Sequence, residues 1–553
     1  MQASDYDDVT TFLGEWGSFQ KRIMLLLCIS AIPNGLSLFS IVFLADTPAH
    51  HCAIPSNANI SAEWINYSIP LEEDKGVMRY NKCTRYKLDV IQRLSDNRSV
   101  PGIDVNVTEI EQESCKDGWE YDKSIYVSTI VSEWDLVCSD AWKVPVITST
   151  CFFGILAGSF ISGQLSDRFG RKIVLFGTIG LHTLFTFILI LSTSWFMFSA
   201  LFFFVGMGGL NTFLIAFVLG AEILTPCLRT IYSTVGISIF FAIGYMLLPL
   251  AAFFIRDWRM LLIAINVPGV FYLPLWRLIP ESPRWLLSQG RVEEAEAILR
   301  AAARKNRVTA PEVIFQPLQT ENKTEKLSRH NVGDLVKSKN IRWITIMLSF
   351  VWIAVSIGYF ALSLNSSNLH GNPFLNCFLS AAVEVPGIIL SWPLLRSCSR
   401  RLCLFATLFL GGVLPLFTLL IPRDLKLVSI ALEMMGKFGF SVAFTIVYPF
   451  TAELYPTVLR NTAVGTCSMA ARLGSIAAPY FLYLGTYSKS LPYILMGGLC
   501  VLGGLLSLLL PETYGMPLPE TLDHMQTIQR FKKTQNSNTL SGDTTAVEND
   551  SVF

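Results

Sequence analysis

Runs of apolar residues, each roughly 20 long, recur along this chain between short polar turns. That length crosses about 30 Å of hydrocarbon as a helix. The runs lie near 22–43, 143–163, 174–193, 197–221, 230–254, 259–279, 342–363, 373–395, 402–421, 427–451, 461–484 and 490–510. Two intervals, 44–142 and 280–341, are too long for turns. The pattern predicts an all-α membrane protein of twelve transmembrane helices with a large loop between helices 1 and 2. It divides into a terminus 1–21, a six-helix half 22–279, a helical connecting loop 280–341, a second half 342–510 and a tail 511–553. The first run follows a polar, acidic start without a small-residue cleavage site, so it reads as a signal anchor.

The polar punctuation repeats. Ala221-Glu222-Ile223-Leu224-Thr225-Pro226-Cys227-Leu228-Arg229 is echoed by Ala452-Glu453-Leu454-Tyr455-Pro456-Thr457-Val458-Leu459-Arg460. Ser166–Lys172 is echoed by Arg396–Leu402, and Pro280-Glu281-Ser282 by Pro511-Glu512-Thr513. One offset, 230 or 231, relates all three pairs. A constant offset in so apolar a chain implies two parallel six-helix repeats, a build that places a site at their midplane junction.

Composition narrows the function. Hydrophobic residues are 52%, charged residues 15% and the net charge +1, so no nucleic-acid or acidic-substrate reading follows from the charge. Basic residues crowd certain turns: Arg168, Arg171 and Lys172; Arg396, Arg400 and Arg401; and the 280–341 loop. The positive-inside rule puts those turns and both termini in the cytosol.

On that topology 44–142 is extracellular. It carries four sequons, at Asn59, Asn66, Asn97 and Asn106, and four cysteines, Cys52, Cys83, Cys115 and Cys138. An even count in an oxidising compartment reads as two disulfides, with three pairings open. In the 280–341 loop, Val292–Arg300 is a helix-forming run expected to lie between the halves on the cytosolic face. The chain ends Ser551-Val552-Phe553, a hydroxyl at −2 and an apolar C-terminus, which suits capture by a PDZ domain through strand addition.

Polar side chains inside apolar runs mark a lumen or a site, because lipid rejects them. Thr345, Ser349, Trp352, Ser356 and Tyr359 alternate by four and three, which keeps them on one helix face. Trp352 and Tyr359 offer ring faces to an organic cation. Glu384 is a carboxylate deep in the eighth run. Arg472, with Ser468 and Ser475 on its face, offers a fork that fits a carboxylate at two points; pairing with Glu384 is the alternative. Glu433 and Lys437 read as an i, i+4 ion pair. Pro33-Asn34-Gly35 interrupts the first run, and broken helices expose groups that bind ions. Phe240, Phe241 and Tyr245 are aromatic but read first as core. Gly154, Gly158 and Ser162 form a ridge for close helix crossing. The charges at the span ends, Asp167, Arg168, Arg171, Glu222, Arg229, Glu453 and Arg460, are expected to latch the two halves at one face. No phosphate loop and no metal-spaced histidine pair is present, so transport here draws on gradients and no resident cofactor is expected.

Gly163-Gln164-Leu165-Ser166-Asp167-Arg168-Phe169-Gly170-Arg171-Lys172 resembles the signature turn of the major facilitator superfamily. With the long first loop, Pro280-Glu281-Ser282-Pro283-Arg284-Trp285-Leu286 and Glu453-Leu454-Tyr455-Pro456-Thr457 resemble the organic ion transporter family. Asp5–Val9, Phe12–Gly17 and Phe254–Met260 resemble its carnitine and zwitterion branch. The resemblance runs from about residue 5 to 525. It implies a major facilitator fold and import of a quaternary-ammonium zwitterion, carnitine or ergothioneine, across the plasma membrane. The implied pocket uses Trp352, Tyr359, Phe241, Tyr245 and Glu384 toward the cation and Arg472 toward the carboxylate. Plain cation carriers of the family tend to have an acid where Arg472 stands. The implied sodium site involves Asn34 and the position of Thr212. The branch usually reads Asn and Tyr at Thr212 and Phe241, Asp at Asn365 and an apolar residue at Glu433. Losing an amide and a phenol weakens a hard-cation site, so a sodium-independent carrier of organic cations or anions is the competing expectation. A non-transporting receptor or scaffold acting through the tail is a third.

Overall fold

The computed structural model describes residues 6–7, 9–56, 58–74, 77–315, 334–369, 371–422 and 425–515. The tail motif at Ser551 and Phe553 lies outside the described residues. The first half holds α1 (Ser18–Leu44), α2 (Cys138–Phe169), α3 (Arg171–Ile190), α4 (Trp195–Ile223), α5 (Pro226–Phe254) and α6 (Trp258–Arg277). The second holds α7 (Lys339–Asn368), α8 (Pro373–Ser397), α9 (Arg400–Leu420), α10 (Lys426–Leu454), α11 (Thr457–Tyr483) and α12 (Leu491–Ser507). The first ten are long and apolar enough to cross a membrane. Helix α11 is long but carries Arg460 and Arg472, and α12 is 17 residues.

Two prolines break helices where they matter. A proline lacks its N–H and collides with the carbonyl four residues back. Pro386 interrupts α8 at Val383, so Glu384 opens the segment Glu384–Ser397. Pro33 interrupts α1 at Ser30, between Ser18–Ile29 and Ala31–Leu38. The expected break at Pro33-Asn34-Gly35 therefore falls one turn earlier, and these three residues are helical. Gly35 instead serves packing: a Cβ there would lie 2.2 Å from the Phe241 carbonyl of α5, and one on Gly244 would lie 2.2 Å from the Ile32 carbonyl of α1. The ridge on α2 does the same against α4, where a Cβ on Gly154 would lie 2.0 Å from the Phe203 carbonyl.

The internal repeat is built in matching bonds. Glu281 accepts from the backbone N–H of Arg171 (2.9 Å) and Lys172 (3.1 Å) at the start of α3. Glu512 accepts from Arg400 N–H (3.0 Å) at the start of α9, and from the Ser399 hydroxyl. Each acid satisfies the open donors and positive dipole end of a helix. Arg171 reaches Glu222 at 3.2 Å and Arg400 reaches Glu453 at 3.3 Å. In the second half this bond falls to Arg400, the residue just before the position that the common offset assigns.

In this conformation these pairs form no latch between the halves. Arg171 also binds Asp167 (2.6 Å), Arg229 binds Asp7 (2.8 Å) and the Leu224 carbonyl, and Arg460 binds the Ala452 carbonyl (2.8 Å). Arg168 is exposed beside Phe169. Among the described residues, every ion pair at this basic face stays within one half. Toward the opposite face, where residues 44–142 carry a folded cap, the halves also meet. Phe43 and Tyr126 ring-pack on Phe374 at 5.5 and 5.8 Å, and Ser149 donates to the Ile476 carbonyl at 2.8 Å.

The cap contains three two-stranded antiparallel ladders, including His50–Cys52 against Trp119–Tyr121 and Thr84–Tyr86 against Gln112–Ser114. Its disulfides join Cys52 to Cys115 and Cys83 to Cys138, choosing one of the three open pairings. Arg85, 2% exposed, binds Glu113, Asp117 and the Ala53 carbonyl and so fastens the ladders together. Asn59, Asn66, Asn97 and Asn106 are all exposed. Glu133 fixes the cap to the first half, accepting from Trp258 (2.7 Å) and Arg259 (2.6 Å).

The connecting loop also departs from expectation. Among the described residues, its helices Pro283–Ser288 and Val292–Asn306 pack under the first half, through Trp285, Leu286, Ala295 and Leu299. Asn306 accepts from Phe19 N–H at 2.8 Å, and Trp285 donates to the Asp167 carbonyl at 2.9 Å. An N-terminal strap completes this layer, where Asp7 bridges Arg229 and Arg284. Burial pushes the Asp7 carboxyl up, but the two arginines outweigh it and hold it below the ordinary carboxylate range. A depressed acid stabilises fully above about pH 4 and loses that contribution as pH falls through its folded value. Asp7→Asn is expected to open the strap about tenfold more often, for loss of about 1–2 kcal/mol of charge-assisted bonding. Hydrogen–deuterium exchange over residues 9–17 measures this; unchanged protection would mean the strap is held by Tyr6 and Leu13 alone.

Candidate functional site

The break in α8 turns Glu384 toward α7 and α10 of its own half, where the rings of Phe39 and Tyr245 approach from the first. Its Oε1 lies 2.9 Å from Lys437 Nζ of α10, both side chains nearly fully buried at 4% and 1% exposed. Tyr359 of α7 donates to the same oxygen at 2.7 Å. Lys437 also donates to the Ser363 hydroxyl. The expected Glu433–Lys437 pair does not form. Glu433 accepts from Tyr493 Oη at 2.8 Å, and Lys437 turns to the site where Glu384, Ser363 and three rings await it.

Those rings make a box. Lys437 Nζ sits 3.2 Å from the Tyr359 ring centroid, 5.7 Å from Phe39 and 5.9 Å from Tyr245. Phe39 and Tyr245 pack with tilted rings at 4.4 Å, and Tyr245 shares a hydroxyl contact with Ser380 at 3.4 Å. The first half thus supplies Phe39 and Tyr245, the second Tyr359 and Glu384. A cation over aromatic faces is held by their quadrupoles, most strongly when desolvated. The box holds the protein's own ammonium.

Arg472 stands apart from this pair. It is 5% exposed, on α11 beside Tyr448, and no described residue pairs with its guanidinium. Glu384 is committed to Lys437, so the alternative in which it neutralises Arg472 does not occur. A ring path joins the two points: Tyr359 to Phe444 at 5.3 Å, Phe444 to Tyr448 at 6.1 Å, and Trp352 onto Tyr448 at 4.5 Å. Trp352 is fully buried and donates to Thr451 at 2.9 Å, so it supports this path from behind. Phe241 packs on Phe213 at 5.8 Å, one turn from Tyr245 and outside the box.

Asn34 and Thr212 do come together, in a cavity of about 10 Å³ inside the first half that Ser30, His182 and Thr183 also line. Thr212 donates to the Gly208 carbonyl at 2.9 Å and Asn34 to the Ser30 carbonyl at 3.0 Å. The Thr183 hydroxyl and Asn266 Oδ1 beside it are buried without hydrogen-bond partners. These are hard oxygen donors and, among the described residues, no group of three His, Cys, Asp or Glu forms a metal cluster.

Sequence reasoning missed Phe39 and misassigned Lys437. Phe39 is one of 38 phenylalanines and carries no polar flag. Lys437 was visible as an intramembrane charge, but its nearest acid in sequence was not its partner.

Comparison with known proteins adds an independent line. A family described as sugar (and other) transporter matches residues 107–524. Organic cation/carnitine transporter 2 of Mus musculus is 55% identical over 533 residues, covering 96% of each chain. Solute carrier family 22 member 4 of Mus musculus is 54% identical over 96% of each chain. The organic cation transporter protein of Drosophila melanogaster is 37% identical over 94% of each. Among solved structures, the partially occluded inward-open xylose transporter XylE from E. coli superposes with a TM-score of 0.56 at 16% identity, over 91% of this chain and 100% of that one. That likeness shows the fold, with its two six-helix halves.

Proposed function

The chain belongs to the sugar (and other) transporter family, with organic cation/carnitine transporters among its relatives, and from that premise we propose that it imports quaternary-ammonium zwitterions such as carnitine or ergothioneine. It is a transporter rather than an enzyme. The observation that carries the substrate reading is the pair of charged points joined by aromatic rings. One is Glu384 with its box, and the other is the unpaired guanidinium of Arg472. A trimethylammonium group replaces the Lys437 ammonium at Glu384 and the Phe39, Tyr245 and Tyr359 faces. The carboxylate of the same molecule takes Arg472. Lys437 keeps the cation box neutral and filled until then.

With the basic turns in the cytosol and the cap outside, the rings at Phe374 hold the halves together at their outer end in this conformation. Alternating access then separates the rings at Phe374 and joins the basic faces. Sodium enters with the substrate, held by oxygen atoms around Asn34, Thr212, Thr183 and Asn266. Each inward charge adds about 2.3 kcal/mol per 100 mV of membrane potential. The plasma membrane, glycans on the four exposed sequons and a PDZ partner at the Ser551–Phe553 tail complete the proposal.

The test is uptake of labelled carnitine and ergothioneine in cells expressing the chain, with sodium or with lithium in its place, and with choline as competitor. We expect sodium-dependent uptake that choline inhibits at least tenfold less well than unlabelled carnitine, since choline lacks the carboxylate. Sodium-independent uptake would remove the ion from the proposal. Choline transported better than either zwitterion would overturn the role of Arg472.

A further inference from the structure

A second cavity, of about 680 Å³, lies on the cap side of the junction, walled by the outer ends of α1, α2, α7, α10, α11 and α12. Its mouth holds the exposed residues Thr47, Lys82 and Lys489. Its inner wall holds Glu433, only 3% exposed. Glu433 has neutral partners: Tyr493 donates to Oε1 at 2.8 Å, and Asn365 reaches Oε2 at 3.5 Å, the limit of a hydrogen bond. Among the described residues no ammonium or guanidinium lies within ion-pairing distance, because Lys437 is held by Glu384. A buried carboxylate with neutral partners pays a desolvation cost that an incoming cation removes. One oxygen is nearly free to receive it.

The geometry points to an outer binding site for an organic ammonium ion, with Glu433 as its charge partner and the Tyr493 ring beside it. Glu433 precedes Lys437 by four residues on α10, about 6 Å along the helix. A cation bound there stands one turn outside the central box, whose Glu384 and Lys437 are themselves buried. The outer cavity reaches exposed residues while the central pair stays buried. The site rests on the orientation proposed above and on no step of transport.

The experiment places a reporter at the mouth. Thr47→Cys in the full chain, expressed in cells, is modified by a membrane-impermeant thiol reagent, with and without tetraethylammonium. We expect tetraethylammonium to slow modification at least threefold when Glu433 is present and not at all with Glu433→Gln. Glu433→Asp, which keeps the charge on a shorter arm, is expected to retain some of the protection even if Glu433→Gln reaches the surface poorly. Equal protection in all three would overturn the proposal, as would none in any. Modification only after the cells are permeabilised would instead overturn the orientation. A chain that takes up no carnitine still gives this result.

Discussion

Arg472→Ala is expected to reduce carnitine uptake by about 30-fold to several-thousand-fold, the largest effect of any single substitution in this protein. Truncating one partner of a buried, hydrogen-bonded charge pair costs about 2–5 kcal/mol, and each 1.4 kcal/mol is tenfold. The structure makes the upper range reachable, because nothing else described offers the carboxylate a charge: Lys437 is held by Glu384 and α11 provides only Ser475 nearby, whose hydroxyl donates to the Arg472 carbonyl at 2.8 Å. Arg472→Lys keeps the charge but loses the two-point fork, so its uptake should lie between. The separating readout is a simple organic cation. Tetraethylammonium needs only the box around Glu384, so its binding to Arg472→Ala should change less than threefold. Carnitine and tetraethylammonium falling together would mean that Arg472 supports the fold and not the substrate.

The second large effect concerns stability. Lys437→Met or Glu384→Gln alone is expected to destabilise the chain by about 3–5 kcal/mol, since each leaves the other member of a buried pair uncompensated. The double variant should recover most of that loss, because two matched neutral groups need no partner charge. Thermal unfolding of the purified protein in lipid nanodiscs reads this as a double-mutant cycle. Single losses that simply add in the double variant would show that the two side chains act independently. Lys437→Met alone empties the ammonium from the box of Phe39, Tyr245 and Tyr359 and leaves the Glu384 carboxylate in place. It therefore also tests whether Lys437 holds the place of the substrate's cation: tetraethylammonium binding should tighten if the internal ammonium competes.

The long apolar runs were legible because hydropathy is a local property. The sixth run, expected at 259–279, is Trp258–Arg277, and the tenth, expected at 427–451, is Lys426–Leu454. The repeat was equally legible, since each of its acids caps a helix that starts within its own half. What local spacing could not give was the choice between partners. Glu433 and Lys437 lie on one face of α10, yet each finds a better site on another helix: Tyr493 on α12 for one, Glu384 on α8 for the other. In a medium without water a charge goes where its whole first layer is satisfied, and that layer is assembled from several helices. The break before Pro386 puts a carboxylate at the start of a new segment, and what that carboxylate meets depends on the neighbouring helices. The same holds for the basic face. The signs of Arg171 and Glu222 predicted an attraction, while their membership of one half or two was a matter of topology.

Among the described residues, the cap is fastened chiefly to one side. Glu133 grips Trp258 and Arg259, Val127 N–H bonds the Arg256 carbonyl at 3.0 Å, and Arg259 reaches the Ile190 carbonyl at 3.2 Å, all in the first half. Toward the second half it offers the Tyr126 ring, resting on Phe374. It thus rides as an outrigger on one rocking body, and a small rotation at the bilayer centre becomes a larger sweep at its tip. A rigid binder wedged between the cap and the turn at Pro373 would hold the carrier open, whereas one seated on the cap alone would travel with it and leave the cycle running.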